Sequence, residues 1–96
     1  MPAKAELKQP PAVSFDHAET SLVIKVEGNW HLSRDIPGSA AVERELQSRD
    51  VHRVAFDATR LARWDSSLVT FVAKVAEFCR VRRIALDRAG LPEGVR

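Results

Sequence analysis

The chain has 96 residues, 45% hydrophobic and 29% charged, which is typical of one soluble globular domain and too small for a cleft between two domains. No apolar run approaches the roughly 20 residues of a membrane span, and the start MPAKAELKQPP lacks the apolar segment of a signal peptide. The single cysteine, Cys79, excludes an internal disulfide and a multi-cysteine metal site. We expect a cytoplasmic protein.

The net charge of +2 is unevenly distributed along the chain. Residues 49–96 carry ten basic and six acidic side chains, and four arginines lie close together near the end: Arg80, Arg82, Arg83 and Arg88. A solvated face, a surface for an acidic partner and a contact with membrane headgroups all fit this pattern. Nucleic acid is disfavoured as a ligand, because no aromatic residues interleave with these arginines.

The first part of the chain predicts a polar lead-in followed by a β-hairpin. Residues 1–11 are polar and end in two prolines, so we expect a flexible segment. Alternating apolar and polar residues then predict strands over Val13–His17 and Leu22–Gly28, joined by a short turn. We expect Gly28-Asn29 to end the second strand.

A helix is predicted next, after a loop containing Trp30, which we assign to packing. Asp35 can cap this helix, Pro37 fits its first turn, and the helix should reach about Arg49. Its apolar stripe would consist of Ile36, Ala41, Val42 and Leu46.

In the second half, strands and helices alternate. The run Arg53–Ala58 predicts a strand that is covered on both sides or central in its sheet, and residues 59–64 should form a loop. A helix from Asp65 or Ser66 to about Arg80 follows, with an apolar stripe at Leu68, Val72, Val75 and Cys79. Arg83–Asp87 is predicted as the fourth strand, and Pro92–Arg96 as the first turn of another helix.

The order of these elements is β-β-α-β-α-β-(α). Strands that alternate with helices favour right-handed crossovers and a largely parallel sheet, here begun by an antiparallel hairpin. The sequence therefore predicts an α/β fold with a mixed four-stranded sheet packed with helices.

The sequence Asp65-Ser66-Ser67, directly before the second helix, offers the most candidate chemistry. Asp65 or Ser66 could simply cap the helix. A catalytic serine is disfavoured, because none of the three histidines suggests a triad and no G-x-S-x-G motif is present. A serine in this position could also accept a regulatory phosphate, which the helix dipole and free amides favour.

The segment FDATRLARWDSS resembles the STAS domain (sulfate transporter and anti-sigma-factor antagonist). That family has a strand ending in Asp, matched by Asp57, and Asp-Ser or Asp-Thr at the start of the next helix, matched by Asp65-Ser66. The resemblance covers about residues 12–96, essentially the whole domain. It implies a STAS-like fold and a regulatory protein-interaction module that is not an enzyme and needs no cofactor or metal.

Two further segments, EGNWHL and LDRAGLPEGVR, resemble the STAS segment that precedes the permease of bacterial Mla-type lipid-transport ABC systems. This resemblance implies the N-terminal part of a longer chain, at the cytoplasmic face of the inner membrane. Its partners would be the ABC ATPase subunit and the membrane permease. Carried over from the family, the partner-docking residues are Trp64, Asp65, Ser66, Ser67 and Thr70. On physical grounds Trp64 is either an interface anchor or a lid over the core.

The alternative is a free-standing anti-sigma-factor antagonist that a serine kinase switches by phosphorylating Ser66 or Ser67. Antagonists usually continue Asp-Ser-Ser-Gly, and Leu68 stands here in place of that glycine. A nucleotide-binding module is a third class, although the four scattered glycines form no phosphate-binding loop. The oligomeric state stays open.

Overall fold

The computed structural model describes residues 11–30 and 39–95. Its five strands, β1 to β5, are Ala12–Ala18, Ser21–Trp30, Arg53–Asp57, Leu61–Trp64 and Ala85–Asp87. Its helices are α1, Ser39–Ser48, and α2, Ser66–Arg82, and a 3₁₀ turn follows at Glu93–Val95. No helix within these residues is both long and apolar enough to cross a membrane.

The strands form a mixed sheet in the order β1-β2-β3-β5, and β4 pairs with the end of β2. β1 and β2 form the antiparallel hairpin, with Phe15 opposite Ile24. β3 and β5 are parallel to their neighbours, and helices supply the crossovers that parallel pairing requires. The predicted mixed α/β fold is confirmed, including the hairpin and the central position of β3.

The sheet has one strand more than the sequence indicates, because two expectations around β2 were wrong. β2 does not end at Gly28-Asn29 but continues to Trp30. Gly28 has a φ of 83°, which a residue without Cβ adopts freely, and the strand pairing shifts register at this point. Residues 61–64, expected as a loop, pair with this extension as β4, and the Gly28 amide donates to the Arg60 carbonyl at 3.1 Å.

Both predicted helices are present in the described residues. In α1, Val42 and Leu46 are buried as expected and Ala41 is exposed, whereas the predicted cap and first turn, Asp35 to Pro37, lie outside the described residues.

The C-terminal boundaries shift slightly from those predicted. α2 reaches Arg82, and Arg83 then ends it in the left-handed conformation, with a φ of 58°. β5 therefore begins only at Ala85, and the last segment is a 3₁₀ turn.

The core lies between one face of the sheet and the two helices. Alternate residues of β2 point into it, and Leu22, Ile24 and Val26 are fully buried. Trp30 extends the same row: its ring centroid is 5.2 Å from that of Phe71, and its Nε1 donates to the Glu27 carbonyl at 2.9 Å. The remaining core side chains come mainly from β3, α1 and α2: Val42, Leu46, Val51, Val54, Phe56, Leu68, Val72, Val75, Cys79, Leu91 and Val95.

Cys79 is buried within this core, as expected for a small hydrophobic residue. Burial raises the pKa of its thiol, which keeps the sulfur in the unreactive neutral form. The structure therefore assigns Cys79 to packing.

Trp30 and Trp64 provide a matched test of this core. Trp30→Ala should lower the free energy of unfolding by about 3–5 kcal/mol, because it leaves a cavity beside Phe71. Trp64→Ala should cost clearly less, because 36% of that residue is already exposed and less apolar surface is lost from the core. Urea unfolding followed by circular dichroism measures both, and equal losses would contradict the assignment of Trp30 to the core.

Candidate functional site at the start of helix α2

Asp65 is the residue that caps α2. Its backbone is extended, with φ −144° and ψ −154°, and its Oδ1 accepts a hydrogen bond from the Ser67 amide at 2.9 Å. The Leu68 amide donates to the Asp65 carbonyl at 3.1 Å and closes the first turn. Of the two residues that could have capped the helix, the structure selects Asp65, and Ser66 becomes the first helical residue.

The hydroxyl groups of this first turn differ in exposure. Ser66 and Thr70 are exposed and lie four residues apart, which places them on neighbouring positions of one helix face. Ser67 is half-buried, and Leu68 is fully buried in the core. The polar surface at the start of α2 is therefore formed mainly by Ser66 and Thr70.

Trp64 borders this turn as the last residue of β4. Its indole ring packs on the terminal 3₁₀ turn: a Cβ added at Gly94 would lie 2.8 Å from Cη2 of the ring. The side chain is nevertheless 36% exposed. Trp64 is thus held on one side by the fold and open to solvent on the other.

Asp57 serves a different part of the molecule. Its Oδ1 accepts hydrogen bonds from the Thr59 amide at 2.9 Å and the Thr59 hydroxyl at 2.7 Å. These bonds hold the pKa of the Asp57 carboxyl below its usual range, and the nearby charges of Lys25 and Arg60 act in the same direction. The structure therefore assigns Asp57 to the turn between β3 and β4.

Asp57 also belongs to a polar cluster on the outer face of the sheet, opposite the core. It pairs in register with Lys25, which itself lies beside Ser14. A hollow of about 400 Å³ here is lined by Ser14, Lys25, Glu27, Asp57, Thr59 and Arg60. Lys25 contacts Asp16 at 2.8 Å and Arg60 contacts Glu27 at 3.8 Å. The charges of the polar cluster are therefore largely paired. The charged positions of β2, which alternate with buried ones, were the sequence signal for this face.

The described residues bring no His, Cys, Asp and Glu side chains together in a group of three that could hold a metal ion. His17 contacts Glu45 at 3.1 Å, and His52 contacts Asp50 at 3.0 Å. Both described histidines are therefore engaged with carboxylates of α1 or of the loop that follows it.

Comparison with known proteins adds structural neighbours. No protein-family model matches the chain, and no curated protein matches it. The structure of the Bacillus cell fate determinant SpoIIAA in its phosphorylated form is similar, with a TM-score of 0.62 and 15% identity over 88% of this chain and 78% of that chain. The anti-sigma factor antagonist SpoIIAA in its unphosphorylated form gives the same TM-score, with 16% identity over 88% of this chain and 74% of that one. This likeness confirms the predicted STAS-like fold.

Replacing the cap tests the division of roles between Asp65 and Ser66. Asp65→Ala should destabilise the domain by about 1 kcal/mol, because the Ser67 amide loses its acceptor. Ser66→Ala should change stability by less than about 0.5 kcal/mol, because an exposed alanine favours the helix. Chemical denaturation measures the two values, and a larger loss for Ser66→Ala would assign the cap to the serine.

Deleting one hydroxyl tests the Asp57 turn. Thr59→Ala should raise the pKa of Asp57 part of the way to its usual value, because the backbone bond remains. Since the folded-state pKa is lowered, the stabilisation is present at neutral pH and is lost as pH falls through that pKa. The stability difference between the variant and the wild type should therefore shrink in acid.

Carboxyl titration by NMR measures the pKa of Asp57 directly. Asp87 serves as the internal control, because its pKa is lowered by the Ala89 amide and by Arg53, which the change does not touch. An unmoved Asp57, or an equal shift of Asp87, would contradict the assigned cause.

Proposed function

We propose that the domain is a non-catalytic STAS module that binds a protein partner through the start of α2. The docking patch consists of Trp64, Asp65, Ser66, Ser67 and Thr70. The observation that carries this proposal is the arrangement of Trp64 and Ser66. An aromatic ring fixed on one side by Gly94 and exposed on the other borders a helix turn whose hydroxyls are free of the capping role.

This arrangement has the composition of a protein-binding surface. Tryptophan is enriched among the residues that dominate binding energy, and a ring that is already immobilised loses little entropy when a partner covers it. Val69, 43% exposed, adds apolar surface beside the hydroxyls. An exposed apolar group with a polar border is typical of an interaction site.

We place this module in an ABC-type phospholipid transport system, at the cytoplasmic face of the membrane. There it would dock the cytosolic ATPase beside the permease. Support comes from the two segments whose sequence resembles that branch of the family. The described part of the first, Glu27–Trp30, forms the end of β2 and pairs Trp30 with Trp64 in register. The second contains Gly94, which lies against the Trp64 ring. Both segments thus meet at the edge of the docking patch.

The alternative function is that of an anti-sigma-factor antagonist switched by a serine kinase. Exposed Ser66 favours it, since a phosphate there would lie at the positive end of the helix dipole and add about −1.5 to −2 charges beside Asp65. Leu68, the departure from the antagonist motif, is fully buried. That departure alters the core and leaves the Ser66 hydroxyl at the surface.

Affinity purification from lysate of the source organism, followed by mass spectrometry, distinguishes the two functions. We expect the wild-type domain to recover an ABC ATPase. Ser66→Asp should lose it, because a carboxylate is placed in the contact. Gln47→Glu adds the same charge on an exposed position of α1 and should retain the ATPase. Recovery of a serine kinase or anti-sigma factor, with phosphate on Ser66, would replace the transporter proposal with the antagonist.

The affinity of the domain for the recovered ATPase then tests the docking patch quantitatively. Trp64→Ala and Ser66→Asp should each weaken binding by about tenfold or more, with circular dichroism spectra like that of the wild type. Titration calorimetry with the purified ATPase measures this. Unchanged affinity in both variants would mean that the docking patch is wrongly placed.

A further inference from the structure

α2 carries four charged side chains, and ion pairs account for three of them: Glu77, Arg80 and Arg82. The Glu77 carboxylate accepts from Arg80, whose Nε lies 3.0 Å from Oε2. Arg82 lies 3.9 Å from the carboxylate of Glu43, in α1. The fourth, Lys74, is exposed and has no ion-pair partner among residues 11–30 and 39–95. The surplus charge of α2 is therefore at Lys74.

Lys74 lies in line with the hydroxyl groups of the docking patch. Ser66, Thr70 and Lys74 are exposed and four residues apart, so they follow one another along one face of the helix. The helix rises about 1.5 Å per residue, so Lys74 is about 12 Å from Ser66 along the axis. The sequence from Ser66 to Lys74 contains no acidic residue. A partner that covers the docking patch therefore reaches Lys74 by extending one helical turn beyond Thr70.

The positive charge is confined to this side of the docking patch. Lys74 does not line the hollow that α2 shares with β5 and the 3₁₀ turn. On that other side Glu93 is exposed and adjoins Gly94, which contacts the Trp64 ring. Arg63 precedes Trp64 in β4 and, because successive strand side chains alternate, points to the other face of the sheet. The docking patch thus has a positive border at Lys74 and a negative border at Glu93.

We propose that Lys74 is a specificity-determining residue of the docking patch, and that the partner protein presents a carboxylate to it. This inference rests on the proposed function, because it names the chemistry of the partner at the same patch. Complementary charges on two surfaces speed association and fix the orientation in which the surfaces dock. A partner turned the other way would bring its carboxylate toward Glu93, and like charges disfavour that arrangement.

A protein carboxylate suits Lys74 better than an anionic membrane does. Recognition of anionic lipid typically uses a cluster of about four to eight basic residues. On α2 the other two cations, Arg80 and Arg82, are already engaged with carboxylates. A single lysine beside hydroxyl groups and an exposed tryptophan is instead typical of the polar rim of a protein interface.

A charge series at Lys74 tests the proposal, with the protein that the wild-type domain recovers from lysate as the probe. Lys74→Arg should bind like the wild type, Lys74→Gln several-fold more weakly, and Lys74→Glu about tenfold or more weakly, because the last change brings like charges together. These differences should shrink between about 0.1 M and 1 M salt, since the Debye length falls from about 10 Å to about 3 Å. Titration calorimetry measures the affinities.

Arg44→Glu is the matched control for this series. Arg44 is an exposed cation of α1 and has no ion-pair partner in the part of the chain that the structure describes. Its reversal changes the net charge by the same amount as Lys74→Glu. Affinity should nevertheless stay near that of the wild type, because Arg44 lies outside the docking patch.

Zero-length cross-linking tests the contact itself. A carbodiimide joins an amine to a carboxylate without a spacer, so it should link Lys74 to an Asp or Glu of the bound partner. Trypsin does not cleave at a modified lysine, so the linked peptide should span residues 64–80, between Arg63 and Arg80. Mass spectrometry identifies this peptide. A structural role of Lys74 would produce neither the cross-link nor the dependence on salt.

The outcomes separate this inference from the proposed function. If Trp64→Ala weakens binding while Lys74→Glu binds like the wild type, the docking patch stands and the role of Lys74 is wrong. If Trp64→Ala binds normally, or no protein is recovered, the docking patch fails and the inference fails with it. Phosphatidylglycerol vesicles that co-sediment with the domain, but not with Lys74→Glu, would assign Lys74 to a membrane surface and also overturn the inference. Thermal unfolding of Lys74→Glu near that of the wild type verifies that lost binding is not lost folding.

Discussion

The pairing of β4 with the end of β2 determines where α2 begins, and the candidate site depends on that position. Gly28 makes the pairing possible, because its φ of 83° carries β2 through an irregularity and on to Trp30. β4 then pairs Trp64 with Trp30 in register, and Asp65 follows directly as the cap of α2. Without this extension, neither the exposed indole nor the helix start would have a defined place.

The same helix is tied to the sheet from the other side. Phe71 packs against Trp30, and this contact between two aromatic rings holds the end of β2 and the second turn of α2 together. Leu68, Val72 and Val75 continue this buried side, so α2 cannot rotate without opening the core. The exposed sides of α2 are thereby fixed as well. Polar groups at its start and small apolar groups along its length face outward in a defined order.

Much of this fold could be predicted from the sequence, because its long elements have clear periodicity. The spacing of Leu68, Val72, Val75 and Cys79 specifies α2, and the alternation along β2 specifies a strand with one buried face. β4 could not be predicted, since four residues, Leu61–Trp64, carry too little pattern. Its pairing partner lies more than 30 residues away, at the end of β2, where we expected Gly28 to terminate the strand.

The candidate site, too, could be predicted from the sequence only in part. Its residues could be found as a local motif, but the choice between Asp65 and Ser66 as the cap could not, because both residue types cap helices well. Asp57 lies close to Asp65 in sequence and yet belongs to the turn after β3, beside Lys25 on the outer face. The apolar hollow lined by Val69, Ile84 and Val95 could not be predicted, since these residues come from separate segments that only the fold brings together.

Hydrogen–deuterium exchange of the domain, alone and in complex with the protein partner it recovers, tests the central claim most directly. If the start of α2 is the docking surface, amides of residues 64–70 should become protected in the complex. The two edge strands of the sheet, β1 and β5, should exchange as in the free domain. Protection confined to β1 or β5, with residues 64–70 unchanged, would contradict the account and move the interface to an edge of the sheet.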